Sequence, residues 1–293
     1  MNMQEEFFNY IMERQRIWNK RFITSEPGPW TNDPILQKYK FCNVYRYLDP
    51  GSVEVKQRIA FSYELTLPEK IFNIVLYRRF NSRSFFQNNA PVKFITFSEQ
   101  EFIGELDWQK NSGVKLFSDA YTICQIPYDK YNRPKDKHAQ VIMSMNDLIS
   151  EKFFECIAEL SGAEAKYLFN ALQPDFPKPH GIGPFLAYQI MQDLEELGHI
   201  NEFHIKGMDD FVYVGPGAIP GLVMIHGNAD EPEEQCRQLR EIQGVYLKDD
   251  WKEITMGDLR LCDIQANLCE FRKYTNLKNN PRKCRKRLFK GGK

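Results

Sequence analysis

Residues 178–194 read KPHGIGPFLAYQIMQDL, and no other stretch constrains the fold as much. Gly181 and Gly183 flank Ile182, Pro184 follows, and Phe185, Ala187, Tyr188, Ile190 and Leu194 recur at helical spacing. Glycine has no Cβ, so the backbone can turn tightly and approach another surface. Proline suits the first turn of a helix. The pattern predicts a tight turn feeding a helix, and the free N–H groups of that helix attract an anion.

The rest of the chain reads mainly as helix. Apolar residues at helical spacing predict helices over 4–22, 35–48, 53–65, 67–80, 144–160, 162–172, 183–197, 230–247 and 255–275. Thr31 or Asn32 is a candidate cap for the second of these, with Pro34 in its first turn. Residues 58–67 also score as strand, 90–112 are ambiguous, 119–127 fit a strand or a buried helix, and 132–140 read as a polar loop. The fold expected is mainly α with room for short strands in the first half. Three parts are expected: residues 1–150 as a helical part carrying Arg and Asn motifs, 151–275 as a second helical part, and 276–293 as a basic tail. The first two would form one intimate bilobal unit.

Charge and cysteine usage narrow the class. Lys plus Arg (39) equal Asp plus Glu (39), so no global basic excess announces a nucleic-acid partner. Residues 273–293 are nearly free of acid, whereas 228–236 are strongly acidic. No run approaches a membrane span, and acids stand near the N-terminus where a signal peptide has bases. A soluble cytoplasmic protein without a membrane partner is expected. The seven cysteines are scattered, which fits free thiols. Cys262 and Cys269 have the spacing that opens some iron–sulfur loops, but only Cys284 follows, too far on. No metal-ligating set is read.

The segment KYLFNAL, the link QPDFPKPHGIG and the next helix together suggest helix–hairpin–helix geometry, in which backbone amides meet a DNA phosphate. A tight loop before a buried helix has the same spelling. Helix–hairpin–helix DNA glycosylases place an aspartate after the second helix. Asp209 and Asp210 lie somewhat farther on than that pattern has it. Phe185 and Leu186 stand where a Schiff-base lysine would be.

The segments RQRIWNKR (14–21), WTNDPILQKYKFCNVYRYLD (30–49), LYRRFN (76–81), GIGPFLAYQIMQDL and VGPGAIPGL, taken in order, resemble the α-glutamyl/putrescinyl-thymine pyrophosphorylase family of bacteriophages. These amino-acid:DNA transferases are related to the helical domain of 5-hydroxymethyluracil DNA kinases. The resemblance covers most of residues 10–225. It implies a helix–hairpin–helix, glycosylase-like fold and one reaction: an amine or amino acid replaces the pyrophosphate of 5-(pyrophosphoryloxymethyl)-deoxyuridine in DNA. The implied partners are double-stranded DNA carrying the modified 5-hydroxymethyluracil, a small amine or amino acid, and a phage DNA base kinase. The implied location is the host cytoplasm. The sequence has no Gly-x-x-x-x-Gly-Lys-Ser/Thr loop, so kinase activity is not expected of it. No resident cofactor is expected, although the diphosphate can bring Mg²⁺.

That chemistry ranks the residues. A departing diphosphate needs cationic donors, and Arg46 and Arg78 are the leading ones among Arg14, Arg16, Arg21 and Arg79. Asp210, Asp209 and Asp33 are candidate bases for the amine, with helix capping or an exposed turn as the plain alternatives. Asn43 and Asn81 could read a uracil edge. Phe41, Tyr45, Phe80 and Tyr188 could stack on a flipped base, or simply pack. Gln189 and Asp193 could position substrate. His180, Gly181 and Gly183 are expected at a DNA phosphate, and Lys283, Arg285 and Arg287 in the tail add salt-sensitive affinity. Gly215, Gly217 and Gly221 line the diphosphate or make a structural turn. Two other classes stay open: a glycosylase that removes a modified base, and a non-catalytic DNA-binding module.

Overall fold

A computed structural model describes residues 2–118, 136–173, 181–247, 251, 257–280 and 288. The α-helices in chain order are Met3–Phe22 (α1), Pro34–Lys38 (α2), Pro50–Val55 (α3), Leu67–Phe80 (α4), Arg83–Asn88 (α5), Glu99–Asn111 (α6), Lys137–Ser150 (α7), Phe153–Glu159 (α8), Ala165–Ala171 (α9), Pro184–Leu194 (α10), Ile219–His226 (α11), Pro232–Tyr246 (α12) and Leu261–Asn279 (α13). Among the described residues there are also three 3-10 turns, Arg46–Leu48, Phe94–Thr96 and Glu195–Ile200, and one π turn, Lys56–Ala60. The fold is all α. Among the described residues the short strands allowed for by the sequence are absent, and only two isolated bridges occur, Tyr39 with Leu288 and Glu164 with Lys206.

The chain divides into two compact units, residues 1–49 with 209–293, and residues 50–208. In the first, α1 starts at Asn2, whose side chain accepts from the Glu5 amide at 2.8 Å. Phe7, Phe8, Tyr10, Ile11, Arg14, Gln15 and Ile17 form its buried stripe. Helix α2 is capped by Asp33, not Thr31 or Asn32, and it ends at Lys38. The single helix predicted over 35–48 is therefore wrong: Tyr39 is already extended, and the chain stays non-helical until the 3-10 turn at Arg46.

The second unit is built around α4. Thr66 and Glu69 make its capping box, Pro68 sits in its first turn, and Asn81 ends it in the left-handed region at φ 45°. Every residue from Glu69 to Phe80 is buried, so α4 is a core helix rather than the amphipathic one its sequence suggested. Its polar side chains find partners inside. Lys70 donates to Ala60 O at 2.9 Å and to both Glu202 oxygens. Asn73 bridges to both backbone groups of Val92. The helix predicted over 144–160 is two. Lys152, left-handed at φ 56°, separates α7 from α8. Helix α7 also begins at Lys137, inside the stretch that reads as a polar loop.

Candidate functional site

In the first unit the segment 42–46 lies along α13 and is fastened by it. The Cys42 amide donates to Glu270 Oε2 at 3.2 Å, Asn267 Nδ2 donates to Val44 O at 2.9 Å, and the Arg46 amide donates to Asp263 Oδ1 at 2.8 Å. Residues 42, 44 and 46 thus meet helix positions 270, 267 and 263, one face of α13. Tyr274, one turn on, donates to Asp33 Oδ2 at 2.6 Å. Asp263 lies at the N3 position of α13 and also accepts from the Arg260 amide at 3.1 Å. One carboxylate therefore fixes the backbones of two arginines far apart in sequence. Burial pushes the Asp263 carboxyl up to about 6, against the pull of the Arg46 and Arg260 amides and guanidinium charges.

The side chains of this segment form a small polar cluster. Arg46 NH1 donates to Asp49 Oδ2 at 2.6 Å, the Asn43 amide donates to Asp49 Oδ1 at 2.9 Å, and Asn43 Nδ2 donates to Leu48 O. Tyr45 is buried, stacks near Trp251 and donates to Gly257 O. Phe41 is buried with the Arg14 guanidinium over its ring, and Arg14 also donates to the Phe41 and Cys42 carbonyls. The Glu270 carboxylate, with burial, raises the Cys42 thiol; burial pulls the Lys273 ammonium down, but its pairing with Glu270 together with the nearby Cys269 and Cys42 raises it on balance.

Asp209 and Asp210 are exposed and belong to this unit. Arg260 Nε donates to Asp209 Oδ1 at 2.5 Å. Arg240 divides its two nitrogens between Asp209 O at 2.6 Å and Asp210 Oδ1 at 3.2 Å. Asp33 spends its carboxylate on the α2 cap and on Tyr274. The glycines after Val214 serve packing: a Cβ on Gly221 would stand 2.5 Å from Leu268 O, and one on Gly217 would stand 3.2 Å from Cys269 Sγ, both on α13.

In the second unit Arg78 and Asp193 form a buried forked ion pair, with Ser52 beside Arg78. Arg79 is fully buried and donates to Ser144 Oγ. Tyr188 and Gln189 are buried on α10, Phe80 stacks on Phe85, and Asn81 Nδ2 donates to Ser118 Oγ at 3.1 Å. Gly181 has φ 68°, a conformation that favours glycine. Ile182 is buried, and Gly183 is the N-cap residue of α10 with open space where a Cβ would be. His180, Lys283, Arg285 and Arg287 lie outside the described residues.

The structure thus brings Arg46 together with Asn43, and Arg78 together with Asp193, each pair within its own unit. Reasoning from the sequence missed Asp263, Asn267, Glu270, Arg240 and Arg260. The first three, with Tyr274, recur at intervals of four, three and four along one helix, a polar stripe the spacing could have revealed. No described group of three or more His, Cys, Asp or Glu could hold a metal ion, and no described helix is long and apolar enough to cross a membrane.

Comparison with known proteins gives two findings. Residues 1–283 match the family described as 5-hmdU DNA kinase, helical domain. A 5-hmdU DNA kinase of Bacillus phage SP10 is 26% identical over 225 residues, which cover 74% of this chain and 35% of that protein. No solved structure matches.

Proposed function

Because the chain belongs to the family of 5-hmdU DNA kinase helical domains, we propose that it acts on a hydroxymethyluracil-derived base in DNA. The reaction we assign to it is replacement of the pyrophosphate on 5-(pyrophosphoryloxymethyl)-deoxyuridine by an amine or amino acid. One observation carries this reading. The family match runs over residues 1–283, yet the sequence has no Gly-x-x-x-x-Gly-Lys-Ser/Thr loop, so phosphoryl transfer is not what this stretch is equipped for. Chemistry on the base and its substituent fits such a stretch.

In the reaction the amine nitrogen bonds to the methylene carbon, the carbon–oxygen bond to the diphosphate breaks, and the amine gives up a proton. Developing charge on the leaving group calls for guanidinium donors. Arg46 suits this role: its backbone is fixed by Asp263 and its side chain is oriented by Asp49. Arg78 is less suited, since Asp193 and burial hold it in the interior of its unit.

A second reading has its own support. The matched region is 35% of a protein named as a kinase, which fits a domain that recognises DNA on behalf of a catalytic neighbour. Mass spectrometry of nucleosides separates the two. DNA bearing the pyrophosphorylated base is incubated with the protein and a mixture of amines and amino acids. A nucleoside heavier by one amine supports the transferase. Unchanged DNA removes the transferase reading for those donors, and abasic sites would indicate a glycosylase.

A further inference from the structure

We propose that Arg240 and Arg260 form a clasp for a phosphate group, and that the chain's own Asp209–Asp210 turn occupies the place of that anion in this structure. The contacts have the character of anion recognition. Arg260 Nε meets one Asp209 carboxylate oxygen, and Arg240 presents two nitrogens to the Asp209 carbonyl and the Asp210 carboxylate. Guanidinium forks of this kind match phosphate oxygens as well as carboxylate ones.

The asymmetry of the two sides carries the argument. The carboxylates are largely in water, 72% exposed at Asp209 and 79% at Asp210. The arginines are the sheltered partners, 35% exposed at Arg260 and 26% at Arg240. Both arginines stand on firm frames. Arg240 belongs to α12, and Arg260 caps α13 with its amide held by Asp263. The two carboxylates can swing away while the guanidinium groups stay in place, Arg240 still steadied by the Asp209 carbonyl. Exposed ion pairs are worth little, so an incoming phosphate of higher charge displaces them at small cost.

A phosphate group can come from two sources, the diphosphate on the modified base or the DNA backbone. Only the choice of source rests on the proposed function. The clasp itself is a statement about phosphate binding.

Calorimetric titration tests it, with inorganic pyrophosphate in one series and an unmodified DNA duplex in the other. Three full-length proteins are compared: the natural sequence, Asp209→Asn/Asp210→Asn and Arg240→Gln/Arg260→Gln. Removing the competing carboxylates is expected to tighten binding severalfold, and removing the guanidinium groups to weaken it roughly tenfold. Effects confined to pyrophosphate identify the diphosphate as the source. Effects confined to the duplex, with the salt slope of the Gln variant lowered by about two, identify backbone phosphates. If the Gln variant fails to fold, Arg240→Lys/Arg260→Lys keeps the charge and loses the fork, and weaker binding is again expected. Asn substitutions that tighten neither ligand, or arginine substitutions that weaken neither, overturn the clasp. Neither titration requires turnover, so a negative nucleoside analysis leaves this result standing, and the reverse also holds.

Discussion

Asp263 accepts two backbone amides from residues 46 and 260 while almost wholly buried, and its chemistry should be visible in the pH dependence of folding. Burial raises its carboxyl from the ordinary 3.8 to about 6 in the folded protein. The fold therefore favours the protonated form. Its contribution to stability is full below pH 3.8 and is lost as pH rises through about 6. Between those values the natural protein should lose stability on the order of 3 kcal/mol through this one group. Asp263→Asn cannot titrate, so its urea-unfolding free energy should fall less over that window than that of the natural protein. Parallel pH profiles for the two would contradict the assignment. Asp33 was partly legible. Capping stood only as the plain alternative to a catalytic role for it, with Thr31 and Asn32 read as the caps, yet an aspartate directly before a proline is well placed to cap and that is what it does. The pairing of Arg240 and Arg260 with Asp209 and Asp210 was not legible, because charges at these spacings look like a solvated face until α12 and α13 are placed side by side.

Among the elements, α11 and α13 approach each other closely at Gly221. Gly221 lets the backbones close until a Cβ would stand 2.5 Å from Leu268 O, and no flexible side chain is there to yield. Gly221→Ala should therefore destabilise by about 1–3 kcal/mol, the usual cost of overpacking. Thermal unfolding measures it, and an unchanged melting temperature would show that the helices can part. Gly227→Ala, where no neighbour lies within reach but φ is 83°, serves as a control for backbone strain without crowding. Helices with strong apolar periodicity, such as α1, α10 and α12, were legible in the sequence. The segment after Lys38 was not. Phe41, Val44, Tyr45 and Leu48 mimic helical spacing, but the backbone between them is satisfied by Glu270, Asn267 and Asp263, more than two hundred residues away. A local pattern carries no trace of a distant partner. The start of α10 was legible because Gly183, which precedes it, and Pro184 of its first turn are written side by side.

At the scale of the molecule, one unit is continuous in sequence and the other is assembled from both ends of the chain. Residues 50–208 expressed alone should melt cooperatively as a helical protein, because α7, α8 and α10, the described helices that pack most on α4, lie within that range. A chain cut after residue 208 should show the same transition, with the Cys42 and Arg46 amides exchanging freely because Glu270 and Asp263 are missing. Protection of those two amides in the shortened chain would refute the account of how α13 holds them. The discontinuous arrangement also imposes a timetable on synthesis. About 210 residues separate Asp49 from Leu261, which at roughly 5–20 residues per second is a delay of about 10–40 s on the ribosome. For that interval the first segment, with Phe7, Phe8 and Phe41 destined for burial, has emerged without the helix that covers it. Its exposure to chaperones is set by the rate of translation rather than by the rate of folding.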